Sequence, residues 1–389
     1  MLRKSYLLPY LRQSSFCLTS RGIMSSKIVV VTGSTSGSGY YCAQSLVNSD
    51  AVTSVVMACR NTASAKKAAD SILYASTKKF KRGDEVIVLP EPCDLNDLVS
   101  VRVFAAALIK WLDGRKIHSL VNNAGVGASV VHSKNSVGHE LMLATNHLGH
   151  FLLTVLLLPY ITDRVVNVSS GAHDPAIKAG MPDPEIGYPS NEAEYNSRML
   201  AGEPLEGHDA ETSGRLRYAR SKLLNVLFTN ELAFRLSGDL PLNNEVQALE
   251  ESVIAAANSL PTKACCSLPG AKKIRTAGFN PGLMLDSNFI GTSMGPLTGW
   301  FAYFMIPVAR YMIGNSVKSS AGSGDRLAKL ALGELGAERT AVYYNADTER
   351  PTSTFAKSLL TVTKYQGELW DYSVVWAGVT KEELRSAGF

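Results

Sequence analysis

Tyr218 and Lys222 stand four positions apart in the run Tyr218-Ala219-Arg220-Ser221-Lys222. On a helix that spacing sets both side chains on one face. A free phenol, with a pKa of about 10, is a poor base at neutral pH. A nearby ammonium favours its ionised form, and each tenfold gain in ionisation corresponds to about 1.4 kcal/mol. Tyr218 so placed can exchange a proton with an oxygen of a bound molecule. Ser170, which follows the run 164–169, offers a hydroxyl to hold the same oxygen as charge develops on it. Alone, a Tyr and a Lys at this spacing are usually a surface pair, and a serine after an apolar run is only a strand end. Their meaning depends on what surrounds them.

A glycine-rich turn supplies the context. Gly33, Ser34, Thr35, Ser36, Gly37, Ser38 and Gly39 follow an apolar run and open a helical stretch. Glycines there let the backbone approach a pyrophosphate, and a helix N-terminus offers free N–H groups and a partial positive charge. A second run ends in Arg60 and Asn61. An NAD site would place an acid here for the ribose hydroxyls, whereas a guanidinium suits a 2′-phosphate, so NADP(H) is the expected cofactor, with Asn61 assisting. The plain alternative for Arg60 is a solvated surface side chain. Asp94 and Leu95 follow the third run, where an acid can accept from an adenine amino group; taken alone, Asp94 reads as a helix cap. Asn123, Ala124 and Gly125 close the fourth run, at the edge where ligands of open α/β sheets collect.

The elements that must position these groups alternate along the chain. Strands are expected at 28–32, 54–59, 85–89, 119–122, 164–169, 272–279 and 341–344, and helices at 39–47, 63–73, 97–112 and 138–158. Tyr218 is expected to open a further amphipathic helix. Near-continuous apolar strands separated by helix-length segments predict an α/β doubly wound parallel sheet with helices on both faces. The pattern forms one domain over 27–389, with inserted substrate-side loops at 171–217 and 240–270. Residues 296–313 are strongly apolar and interrupted by Pro307 and Arg310; they read as a buried or lid helix, with membrane-surface contact or a span as the alternatives.

Composition narrows the function classes. The 389 residues are 46% hydrophobic and 19% charged, with a net charge of +5 that is concentrated near the start, so a nucleic-acid groove is not expected. Residues 1–24 carry Arg and Lys but no acid, and they read as an organelle transit peptide, mitochondrial ahead of plastid, or else a disordered extension of a cytoplasmic or membrane-associated protein. The six cysteines form no metal spacing, which suits a reducing compartment and no bound metal.

Taken together, these motifs resemble the short-chain dehydrogenase/reductase superfamily over nearly all of 27–389. The resemblance implies a Rossmann-type fold and places Pro281 and Gly282 at a turn beside the nicotinamide. It also implies that Asn146 completes a water-mediated proton relay with Tyr218 and Lys222, and that pairing of two copies runs through the helices flanking the site. Within the superfamily, the stretches 57–61, 146–153 and 167–173 are similar to retinol dehydrogenase-like and protochlorophyllide reductase-like members. The implied activity is hydride transfer between NADP(H) and the carbonyl or alcohol carbon of a hydrophobic small molecule. A light-dependent pigment reductase and a non-catalytic dinucleotide sensor are the alternatives. Leu283-Met284-Leu285 lacks the cysteine of the photoenzymes, and 48 positions separate Ser170 from Tyr218, more than the family usually has. Substrate identity is therefore the least transferable property.

Overall fold

A computed structural model describes residues 27–76, 85–175, 181–237, 274–284, 317–337, 339–345, 348–350 and 363–389. The transit-peptide candidate 1–24, the insertion 240–270 and the apolar segment 296–313 lie outside the described residues.

The strands are β1 (Lys27–Thr32), β2 (Val52–Ala58), β3 (Glu85–Ile87), β4 (Ile117–Asn122), β5 (Ile161–Val168), β6 (Arg275–Asn280), β7 (Leu283–Met284), β8 (Val317–Lys318), β9 (Val342–Asn345) and β10 (Thr348–Arg350). Eight of them form one sheet in the order β10-β9-β6-β5-β4-β1-β2-β3. Seven are parallel, and β10 adds an antiparallel edge beside β9. Strand order reverses between β1 and β4, which makes the crevice beyond their C-terminal ends the natural ligand site.

Both faces of the sheet are covered, and β1 shows why its sequence is so uniformly apolar. Ile28 and Val30 face one core with α3 (Leu98–Leu112), while Val29 and Val31 face the other with α1 (Gly37–Asn48) and α2 (Thr62–Ala75). A strand buried on both sides has no polar register. On the first face also lies the helix Leu141–Tyr160, composed of α4 (Leu141–Leu143), a π-type turn (Ala144–Leu148), α5 (Gly149–Leu157) and a final 3₁₀ turn. It is apolar and long enough to cross a membrane, but most of it is enclosed in the core.

The expectation for 171–217 needs correction. A short helix α6 (Glu192–Glu194) continues into a π-type turn, Tyr195–Leu200. The long helix α7 (Ala210–Ser237) then begins two turns before Tyr218, which does not open it. Nor is α7 amphipathic, since it is buried nearly all round from Ser213 to Ala233. A further helix, α8 (Ser320–Leu332), packs on α1. The outer side of α7 is covered by α9 (Thr363–Trp376), and α10 (Lys381–Ala387) packs against α5. Trp370 of α9 sits edge-on to Phe151 at 5.0 Å, and Phe389 against Trp370 at 4.9 Å. Pairing of two copies through α5 and α7 would therefore have to go by way of α9 and α10.

Candidate active site

The loops after β1 and β4 are fastened to each other at the switch point. The Thr32 hydroxyl accepts from the backbone N–H of Asn123 (2.9 Å) and Ala124 (3.0 Å). In return, Asn123 Nδ2 donates to the Thr32 carbonyl (3.0 Å), and Ser38 Oγ donates to Asn123 Oδ1 (2.9 Å). The glycines are required by this closeness. A Cβ on Gly39 would lie 2.4 Å from both Asn123 Nδ2 and the Gly33 carbonyl, and Gly33 and Gly37 have φ of +64° and +58°.

The loop fits a pyrophosphate on a physical ground. Ser36 occupies the N-cap of α1, yet its side chain makes no cap bond, which suits the first N–H groups of that helix to an anion. Thr35 and Gly37 are half-buried and Ser36 is exposed, so all three border the cleft. Ser34 is different: it is buried, with its hydroxyl directed to the Val31 carbonyl and to Cys59 Sγ at 3.3 Å each. Its contribution to a ligand would be its backbone.

At the end of β2, Arg60 is exposed. Asn61 caps α2, its side chain accepting from the Ser64 N–H at 2.8 Å, so its side-chain oxygen already has a structural task. Asp94 accepts from the Asn96 N–H at 3.0 Å, and the helix-cap role falls to Asp97 instead. Leu95 turns its side chain into the core, and its carbonyl lies against Gly149, where a Cβ would come within 2.3 Å. Beyond β6, Pro281 is held by Ser323, whose hydroxyl donates to its carbonyl at 2.8 Å, and Gly282 turns with φ of +80°.

Ser170, Tyr218, Lys222 and Asn146 do come together. The Ser170 hydroxyl is hydrogen-bonded to the Tyr218 phenol, and Lys222 Nζ lies 5.8 Å from the centre of the Tyr218 ring. A Cβ on Gly125 would stand 3.1 Å from Asn146 Oδ1 and 3.3 Å from Lys222 Nζ, so the glycine keeps this corner open. Asn146 sits in the π-type turn. Its Oδ1 accepts from the Val126 N–H (2.8 Å), and its Nδ2 donates to the Val126 carbonyl (3.1 Å) and to Ser221 Oγ (3.0 Å).

Burial works against the ionisation that the Tyr218–Lys222 spacing favours. Burial pushes the Tyr218 pKa up to about 12, opposed by the Ser170 hydrogen bond. Burial also pushes the Lys222 pKa down to about 8. The ammonium makes no ion pair with any described carboxylate, and among the described residues it makes only a long hydrogen bond of 3.5 Å to the Val168 carbonyl. A buried cation so weakly compensated favours a ligand that brings hydroxyls or negative charge.

Other side chains hold the site together without standing out in its motifs. Thr32 precedes the glycine turn and Ser221 lies between Tyr218 and Lys222; Ser221 donates to the Tyr218 carbonyl at 2.8 Å. His150 lies one helical turn beyond Asn146, and that i+4 spacing was the available signal. Arg220, also inside the motif, ties the inserted segment to α7, donating to the carbonyls of Pro184 (3.2 Å) and Gly187 (3.0 Å).

A parallel doubly wound sheet with this glycine turn at its switch point is a Rossmann-type fold, and comparison with known proteins agrees. Residues 27–180 match the family model described as short chain dehydrogenase. The chain resembles the short-chain dehydrogenase/reductase superfamily and, within it, the retinol dehydrogenases. It is 37% identical to human retinol dehydrogenase 12 over 217 residues, 54% of this chain and 57% of that protein. Over 229 residues it is 35% identical to human retinol dehydrogenase 11, covering 58% and 61% of the two chains. The matches thus span little more than half the length of these curated relatives. Among solved structures, an uncharacterised protein from Mycobacterium paratuberculosis is similar, with a TM-score of 0.53 and 26% identity, over 90% of this chain and 93% of that one.

Proposed function

We propose that the protein is an NADP(H)-dependent oxidoreductase that reduces the carbonyl, or oxidises the alcohol, of a hydrophobic small molecule. The observation that carries this reading is the junction of Ser170, Tyr218 and a buried, nearly uncompensated Lys222 beside the open corner at Gly125. NADP(H), held by the uncapped start of α1, by Gly33 to Gly39, by Asn123 to Gly125 and by Pro281 and Gly282, would supply the hydride. Lys222 is suited to hydrogen-bond ribose hydroxyls. Arg60, exposed at the end of β2, is free to meet a 2′-phosphate.

The chain's own residues then handle the oxygen and its proton. Ser170 orients the substrate oxygen by a hydrogen bond. The neutral phenol of Tyr218 is the form that donates a proton to a carbonyl oxygen gaining charge. In the reverse direction a nearby positive charge favours the phenolate, which takes the alcohol proton. A relay through Asn146 would use its backbone carbonyl, which also accepts from His150, because its side chain is already bonded to Val126 and Ser221.

Apolar side chains support a greasy substrate. Tyr218 packs with Met142 and Ala172, and Val126, Ala128 and Met181 line the same cluster. The relatives' names point the same way, towards a lipophilic alcohol or aldehyde of the retinoid kind. We read residues 1–24 as an import leader, testable by fusing them to a fluorescent protein.

The deciding experiment is an NADPH-oxidation screen, run in darkness, with apolar aldehydes and ketones that include retinal. Tyr218→Phe should still bind NADPH, by fluorescence, while turnover falls about 10²- to 10⁴-fold. Undiminished turnover in that variant would overturn the mechanism. NADPH binding with no turnover of any carbonyl compound would favour a dinucleotide sensor.

A further inference from the structure

The cofactor loop and the Asn146 turn belong to different elements, yet one buried side chain bridges them. His150 is 2% exposed, with Nδ1 at 3.1 Å from the Asn146 carbonyl and Nε2 at 2.9 Å from Thr32 Oγ1. A carbonyl can only accept, so Nδ1 carries the hydrogen and Nε2 accepts from the Thr32 hydroxyl, whose other acceptor, the Val121 carbonyl, is farther off at 3.3 Å. That hydroxyl already accepts from the N–H groups of Asn123 and Ala124. A continuous line of bonds therefore runs from Asn146 through the imidazole into the two loops that face the nucleotide cleft. Burial, opposed by the bond to the Asn146 carbonyl and aided by the Lys222 charge, pushes the His150 pKa down to about 4, so the ring is neutral and this tautomer persists at physiological pH.

We propose that His150 is a positioning residue that fixes the Asn146 backbone relative to the Thr32–Asn123 junction, so that the proton relay and the cofactor share one frame. An apolar ring would fill the core at less desolvation cost than an imidazole, which points to orientation as the use of this one. The π-type turn is part of the device. Its bonding has slipped by one residue, the Gly149 N–H reaching back to the Ala144 carbonyl, and the Asn146 carbonyl faces the ring one turn on. The inference rests on the reading of Tyr218 given above.

His150→Phe keeps a ring and removes both bonds, whereas His150→Gln retains one donor and one acceptor. With NADPH and the aldehyde turned over fastest in the screen, folded His150→Phe should lose about 10- to 100-fold in kcat, with KM for the aldehyde changed less than about threefold. His150→Gln should recover a substantial part of that loss, which a purely space-filling role would not allow. A kcat for His150→Phe within about twofold of the unaltered protein, or a Gln variant no better than Phe, overturns the proposal. Should His150→Phe fail to fold, Thr32→Val cuts the same line at its other bond; a lowered kcat is expected there, and an unchanged one overturns the proposal. Tyr218→Phe separates the two ideas. If it stays active, the reading of the site fails; if it is inactive while His150→Phe is normal, only the role of His150 fails.

Discussion

The two ends of strand β5 hold charges in opposite ways. At its start, Asp163 is met by Arg275 (2.8 Å), Arg164 (2.5 Å) and His118 (3.7 Å). Arg164, itself buried, also donates to the Leu330 (3.1 Å) and Leu335 (3.3 Å) carbonyls, and Lys27 to that of Leu332 (3.3 Å), closing the C-terminal end of α8. At the other end, past Ser169 and Ser170, Lys222 is equally buried and meets no described carboxylate. Positive φ at Gly33, Gly37 and Gly282 is gathered around that same end. One end satisfies its charges within the chain and serves stability. The other leaves its cation without a counter-charge among the described residues, an arrangement common at sites that bind ligands.

The contrast can be broken first at its functional end. Lys222→Met removes the uncompensated cation and should lower turnover by about 10²- to 10⁴-fold while leaving the fold intact, as read by steady-state kinetics beside circular dichroism. The same variant tests the stability sign. Because burial lowers the folded-state pKa of Lys222 to about 8, below its unfolded value of about 10.4, the unfolded chain binds more protons between those values. The penalty for burying Lys222 is therefore full below pH 8 and is relieved as pH rises towards 10.4. Denaturant midpoints of the ligand-free protein should show this rising contribution, and Lys222→Met should lack it.

The opposite outcome is expected at the scaffold end. Arg164→Leu should cost about 3 kcal/mol of stability in a denaturant titration, since it uncovers helix-end carbonyls and strips Asp163 of a partner. Turnover per folded molecule should be unchanged; a large loss would mean that the two ends are not separable. The smallest effect belongs to the exposed edge. Arg60→Glu should shift the NADPH-to-NADH preference by about 10-fold or more, with stability unmoved, and an unchanged ratio would remove Arg60 from the cofactor site.

Much of the fold was legible because β-branched runs buried on two faces leave no polar residues to confuse the pattern. β1, β2 and α1 to α3 lie close to their expected positions. β3 is shorter than expected, ending at Ile87. The start of α7 was missed because Glu211, Thr212 and Gly214 look like loop composition. Yet Asp209, accepting from the Thr212 N–H at 2.7 Å, was a readable cap. Gly214 is needed there because the helix lies against the Ser129 carbonyl, where a Cβ would come within 2.1 Å. No local pattern announces such a contact between segments far apart in the chain.

The sequence by itself determined the strand and helix alternation, the glycine-rich turn after β1, and the i, i+4 pairing of Tyr218 with Lys222, because each follows from backbone geometry and local spacing. The tertiary structure alone decided that burial pushes the Tyr218 pKa further up, that Lys222 lacks a counter-charge among the described residues, and that His150 joins two loops. Burial and hydrogen-bond partnership are properties of neighbours brought from distant parts of the chain, and a side chain's ionisation answers to those neighbours rather than to its place in the sequence.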